Sequence, residues 1–159
     1  MASSTQQPFV LVIDDNPESA DLMVELLQAC GYSSAAAYGG ASGVEAIRNF
    51  SPDVVLLDLL MPEVDGFQVA SQIRKPDFPH KPVLIAFSAL NDAATINLAM
   101  RSGFDYHLPK PATIKQVITV ISNARSRNQD ATPAFANRGE GPTPAAGEVA
   151  PAFTYKSGF

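Results

Sequence analysis

Five residues carry the chemistry this sequence can offer: Asp14, Asp15, Asp58, Ser88 and Lys110. Each stands at or just beyond the end of an apolar run, and three of them are carboxylates. Two ionised carboxylates about 5 Å apart repel by roughly 3 kcal/mol at an effective dielectric near 20, so three brought together invite a hard divalent cation. Mg²⁺ suits that set better than Zn²⁺, because no cysteine or histidine stands near it in the pattern. A carboxylate beside a bound cation, facing a hydroxyl and an ammonium, is what phosphoryl transfer onto that carboxylate requires. Cation and lysine offset the charge on the transferring oxygens, and the serine donates a hydrogen bond to one of them.

The elements that must position these groups are legible as apolar runs. Val54–Val55–Leu56–Leu57 reads as a strand buried on both faces and ends in Asp58, after which Pro62, Asp65 and Gly66 turn the chain into a helix. Asp58 could instead cap that helix, but Asp65, directly before Gly66, is better placed to do so. Residues 9–13 form a second run ending in Asp14–Asp15, and residues 83–87 a third ending in Ser88–Ala89. Residues 34–38 and 104–108 read as weaker strands, the latter running into Pro109–Lys110–Pro111.

Between the strands the helical signals recur. Asn16 with Pro17 starts one helix and Gly31 stops it. Ser42 with Glu45 and Thr113 with Gln116 each have the spacing of a capping box. A helix opens near Gly66, and another opens near Asn91 or Asp92 and runs to Gly103. Residues 75–82 hold three prolines and His80 and read as a loop, in which a lone histidine is expected to be solvated and without a role. Five strands alternating with five helices, at spacings too long for hairpins, make an α/β domain: a doubly wound, five-stranded parallel sheet with helices on both faces. In such a sheet the carboxyl ends of the strands gather on one edge, and the five chemical residues gather with them.

Composition bounds the rest. The 159 residues are 46% hydrophobic, enough for one domain with a core, and the net charge of −5 speaks against direct binding of nucleic acid or an anionic membrane. The start of the chain lacks a signal-peptide pattern and no apolar run approaches membrane-spanning length, so a cytoplasmic location is expected. Cys30, the single cysteine, falls at the end of a helical pattern, where a buried, inert thiol is expected. Residues 1–8 are expected to be a flexible N-terminus and 9–127 the domain. From residue 128 onward, 15 of 32 residues are Ala, Pro or Gly, a composition that reads as a disordered tail, interrupted by Phe135, Phe153, Tyr155 and Phe159.

Taken together, Asp14–Asp15, Asp58 followed by Met61–Pro62 and Asp65–Gly66, Ser88–Ala89 and Lys110–Pro111 resemble the signature of the response-regulator receiver domain over residues 9–127. The resemblance implies the flavodoxin-like (βα)5 receiver fold. It implies that Asp58 accepts a phosphoryl group from a histidine kinase or histidine phosphotransfer protein in a two-component phosphorelay. It implies Mg²⁺ held by Asp15, Asp58 and the backbone carbonyl of Leu60, with Asp14 acting from the outer shell, Ser88 and Lys110 on the phosphoryl group, and a cis peptide at Lys110–Pro111. The family's switch residue, three before the lysine, is usually Tyr or Phe; here it is His107, and Tyr106, one place earlier, would face the other way on a strand. The residues that flank the attacking water in the family are Leu60 and Leu90, which implies a long-lived phosphoryl group.

The expected function is therefore a receiver that is not itself an enzyme and signals through a downstream effector protein, since no effector domain follows the receiver within these residues. Two other readings compete. One is an interaction module that docks a partner through its aromatic tail. The other, a metal-dependent phosphatase or flavodoxin-type protein, lacks an Asp-x-Asp pair after the first strand and a Gly-rich phosphate loop.

Overall fold

The computed structural model describes residues 7–129 and 154–155. Its elements alternate in chain order: β1 Phe9–Ile13, α1 Pro17–Ala29, β2 Ser33–Ala37, α2 Gly40–Phe50, β3 Val54–Leu57, α3 Gly66–Ile73, β4 Val83–Ser88, α4 Ala93–Ser102, β5 Tyr106–Pro109, α5 Ile114–Gln129 and β6 Thr154–Tyr155. The strands form one sheet in the order β2-β1-β3-β4-β5-β6. The first five run parallel, as the flavodoxin-like receiver fold requires, and β6 adds antiparallel to the outer edge of β5. That sixth strand is one more than the sequence predicts, and a two-residue strand has no apolar run to announce it. The remainder of the expected tail, and residues 1–6 of the expected flexible N-terminus, lie outside the described residues.

The apolar runs work because a strand sends alternate side chains to opposite faces. Val10, Val12, Val54 and Leu56 pack on one face with Ala20, Met23 and Leu27 of α1 and Val117, Val120 and Ile121 of α5. Leu11, Ile13, Val55 and Leu57 point the other way, toward Ala46 and Ile47 of α2, Val69 and Ile73 of α3 and Ala99 of α4. Burying each of the larger side chains contributes about 1.5–3 kcal/mol, which is why these central strands tolerate no polar residue.

Helix starts follow the caps in most places. Asn16 accepts from the backbone N–H groups of Glu18 and Ser19, with Pro17 in the first turn of α1. Asp65 and Gln68 form a reciprocal capping box on α3, so the cap of that helix is Asp65 and not Asp58. Asp92 caps α4, and Thr113 and Gln116 bond to each other's backbone N–H at the start of α5.

Three expectations are corrected. The helix α2 starts at Gly40 with no side-chain cap, so the Ser42–Glu45 capping box does not form. Its first residue must be small: a Cβ on Gly40 would lie 2.2 Å from the Val64 carbonyl oxygen. Cys30 is exposed rather than buried, because α1 ends at Ala29 and the thiol sits on the cap residue beyond the packed face. His80 is half-buried, its Nε2 against the Pro52 carbonyl, where it pins the proline-rich loop to the start of β3. Among the described residues no helix is long and apolar enough to cross a membrane.

Candidate functional site

The site forms where strand order reverses, between β1 and its neighbours β2 and β3, at the carboxyl edge of the sheet. Ile13 pairs with Leu57, so the next residues, Asp14 and Asp58, emerge from adjacent strands, and the Asp58 N–H donates to the Ile13 carbonyl at 3.0 Å. On the far side Ser88 pairs with Pro109, and the Lys110 N–H donates to the Ser88 carbonyl at 2.9 Å. Register alone thus brings all five residues to one rim. The Lys110–Pro111 peptide is cis, as expected.

Asp14, Asp15 and Asp58 each offer a carboxylate oxygen, and these oxygens all lie within 4.8 Å of one another. They grade from buried Asp14 through half-buried Asp58 to exposed Asp15. Three hard oxygen donors at that spacing, one open to solvent and none joined by cysteine or histidine, fit a divalent cation of the Mg²⁺ type. Both oxygens of Asp14 are engaged by the protein: Oδ1 accepts from the Asn16 N–H at 2.9 Å and Oδ2 from Lys110 Nζ at 2.9 Å.

Lys110 is also 3.6 Å from Asp58 Oδ2, and its ammonium stands 5.1 Å over the Phe87 ring. Asp58 Oδ1 accepts from the Leu60 N–H at 3.2 Å. Burial holds the Asp58 carboxyl above the usual aspartate range; the Lys110 charge pulls it back down, Asp14 pushes it up, the Leu60 N–H lowers it and Asp15 raises it.

Ser88 is fully buried, and its Oγ accepts from the Leu90 N–H at 3.1 Å. The Leu90 carbonyl lies 2.9 Å from His107 Nε2. A carbonyl can only accept, so Nε2 carries the proton and donates. Ser88, Leu90 and His107 therefore form one chain of hydrogen bonds from the carboxyl end of β4 to β5. Tyr106 packs with the α1 and α5 side of the core, away from that chain, as strand alternation predicts.

The predicted site residues lie on this rim: Asp14, Asp15 and Asp58 cluster, Lys110 reaches Asp14 and Asp58, and Ser88 is linked to His107 through Leu90. Two contributors escape a reading of side-chain types. Leu90 acts through its backbone, which no residue type announces, and Phe87 through the face of its ring. An aromatic residue next to Ser88 was the only available signal for the second.

A model of the family described as response regulator receiver domain matches residues 10–122. The regulatory protein VanRc of Enterococcus gallinarum is 33% identical over 120 residues, covering 76% of this chain and 51% of the relative. The DNA-binding dual master transcriptional regulator RpaA of Synechocystis sp. is 30% identical over 133 residues, covering 84% and 55%. The chain spans about half the length of these curated relatives. The receiver domain of the Francisella response regulator 1452 superposes with a TM-score of 0.71 at 27% identity, over 77% of this chain and 99% of that one.

Proposed function

The chain belongs to the response regulator receiver domain family, and from that premise we propose that it accepts a phosphoryl group on Asp58 from a phosphohistidine carried by a histidine kinase or a histidine phosphotransfer protein. The observation that carries this reading is the Asp58 carboxylate itself, half-buried at the carboxyl end of β3, with two further carboxylates and the Lys110 ammonium around it. Mg²⁺ would be held by Asp15, Asp58 and the Leu60 carbonyl, and when bound it supplies positive charge to the phosphoryl oxygens. Asp14, with both oxygens already engaged, acts by orienting Lys110 and the turn at Asn16 rather than as a direct ligand.

An ionised oxygen of Asp58 attacks phosphorus; the new O–P bond forms as the donor's N–P bond breaks, and the electron pair returns to the imidazole nitrogen. Lys110, tethered to Asp14, moves onto a phosphoryl oxygen. Ser88 leaves its bond with the Leu90 N–H and donates its hydroxyl to another. His107, bonded to the Leu90 carbonyl, senses that displacement and is the switch residue. The stored acyl phosphate is the signal, so the domain works as a signalling module and not as an enzyme turning over an external substrate.

Output passes to a downstream protein partner. The curated relatives include proteins named as DNA-binding regulators, but this chain matches only about half of their length, and its net charge of −5 disfavours contact with nucleic acid.

Incubation with labelled acetyl phosphate tests the reading. The parent takes label in Mg²⁺ and takes none when the metal is chelated beforehand, and Asp58→Asn takes none in either condition. Label on the amide variant equal to the parent overturns the assignment.

A further inference from the structure

Within the receiver reading, on which this rests, β6 places a piece of the chain itself against the switch strand. His107 pairs with Thr154 and Tyr106 with Tyr155, antiparallel, on the side of β5 that no other strand covers among the described residues. A sheet edge left open presents a row of unpaired N–H and C=O groups, and an extended segment is the occupant such an edge takes. The connection is long enough. The 24 residues between α5 and β6 could span about 80 Å if extended, while the 16-residue α5 is about 24 Å long.

We propose that residues 154–155 are a docked edge strand whose pairing with β5 is coupled to phosphorylation of Asp58 through Ser88, Leu90 and His107. The coupling has a physical path. In the structure the Ser88 Oγ holds the Leu90 N–H, and the Leu90 carbonyl holds the His107 ring, whose backbone pairs with Thr154. When Ser88 turns to the phosphoryl group, Leu90 loses that anchor, and the carbonyl that positions His107 shifts with it. The edge geometry to which Thr154 is fitted changes, and the strand lets go. Two residues of backbone pairing make a weak contact that the tether strengthens, so a modest displacement is enough to tip it. Linkage makes the effect reciprocal: a docked strand opposes phosphorylation as much as phosphorylation opposes docking.

The test compares the full-length parent with a full-length T154P/Y155P double variant, in which proline removes the backbone donors of the edge strand. Amide hydrogen exchange is followed across Tyr106–Leu108 with and without beryllofluoride and Mg²⁺, and acetyl-phosphate labelling of Asp58 is measured on the same samples. The expected result is severalfold faster exchange of the β5 amides in the variant. Beryllofluoride brings the parent to the variant's rate, and the variant saturates at about fivefold lower beryllofluoride. Equal β5 exchange in parent and variant overturns the docking, and equal beryllofluoride midpoints overturn the coupling. Either result with normal Asp58 labelling leaves the receiver reading standing, whereas loss of labelling in the parent removes that reading itself.

Discussion

Asp58 holds its proton more tightly than an ordinary aspartate. Its folded-state value lies above the usual aspartate range, chiefly through burial and in spite of Lys110. A group raised in this way adds stability that is fully present below its unfolded value and is lost as the pH rises through the folded one. Without metal, the charged form of this carboxylate therefore weighs on the fold. Asp58→Asn is expected to have a higher thermal midpoint than the parent in chelator at pH 7, with the gap closing as acid protonates the parent's Asp58. A less stable variant at pH 7 would contradict this. A second residue-scale expectation concerns the lifetime of the phosphoryl group. Leu60 is 56% exposed beside Asp58, and Leu90 is half-buried with its backbone tied to Ser88 and His107. Neither side chain can orient an attacking water, so slow decay is the expected outcome. Leu60→Asn and Leu90→Glu should each speed the loss of label after the donor is removed, and the pair should speed it most; parental decay in all three would place the control elsewhere.

Elements carry the site by close packing, and Gly66 is where the backbone of the site itself is approached most closely by the next helix. A Cβ there would lie 2.4 Å from the Asp58 carbonyl oxygen and 2.8 Å from the Leu59 Cα, both backbone atoms that cannot rotate away. Gly66→Ala is therefore expected to cost about 1–3 kcal/mol in urea unfolding, and to weaken Mg²⁺ binding, because the backbone that must yield is that of the site. Unchanged stability and metal affinity would show that the turn can relax independently. The same scale shows where the sequence was readable. The strands β1, β3 and β4 were legible because burial on both faces demands unbroken apolar runs. The starts of α1, α3, α4 and α5 were legible because a side-chain cap is a local device. The start of α2 was not: it has no side-chain cap, Gly40 is required small by the backbone of Val64, 24 positions away, and Ser42 and Glu45 carry the right spacing with no helix terminus to serve. The Leu90 link was hidden for a related reason, since its donor and acceptor are backbone atoms and only the fold decides whom they meet.

On the scale of the whole molecule, parallel topology does most of the work of assembling the site. With β1 flanked by β2 and β3, residues more than 90 positions apart, Asp14 and Lys110, come to 2.9 Å. That convergence was predictable from strand order of run and carboxylate, and the family resemblance named its use. The edge strand β6 was not predictable, because two residues with backbone pairing carry no periodic signal. The central claim, that this rim stores a phosphoryl group on one carboxylate, is tested most directly by trapping the acyl phosphate. Protein treated with acetyl phosphate in Mg²⁺ is reduced with borohydride, which converts a phosphorylated aspartate to homoserine, and the peptides are sequenced by mass spectrometry. Homoserine at position 58 alone, absent when Mg²⁺ is chelated, is the predicted result; homoserine at position 14 or 15, or none at any position, would contradict it.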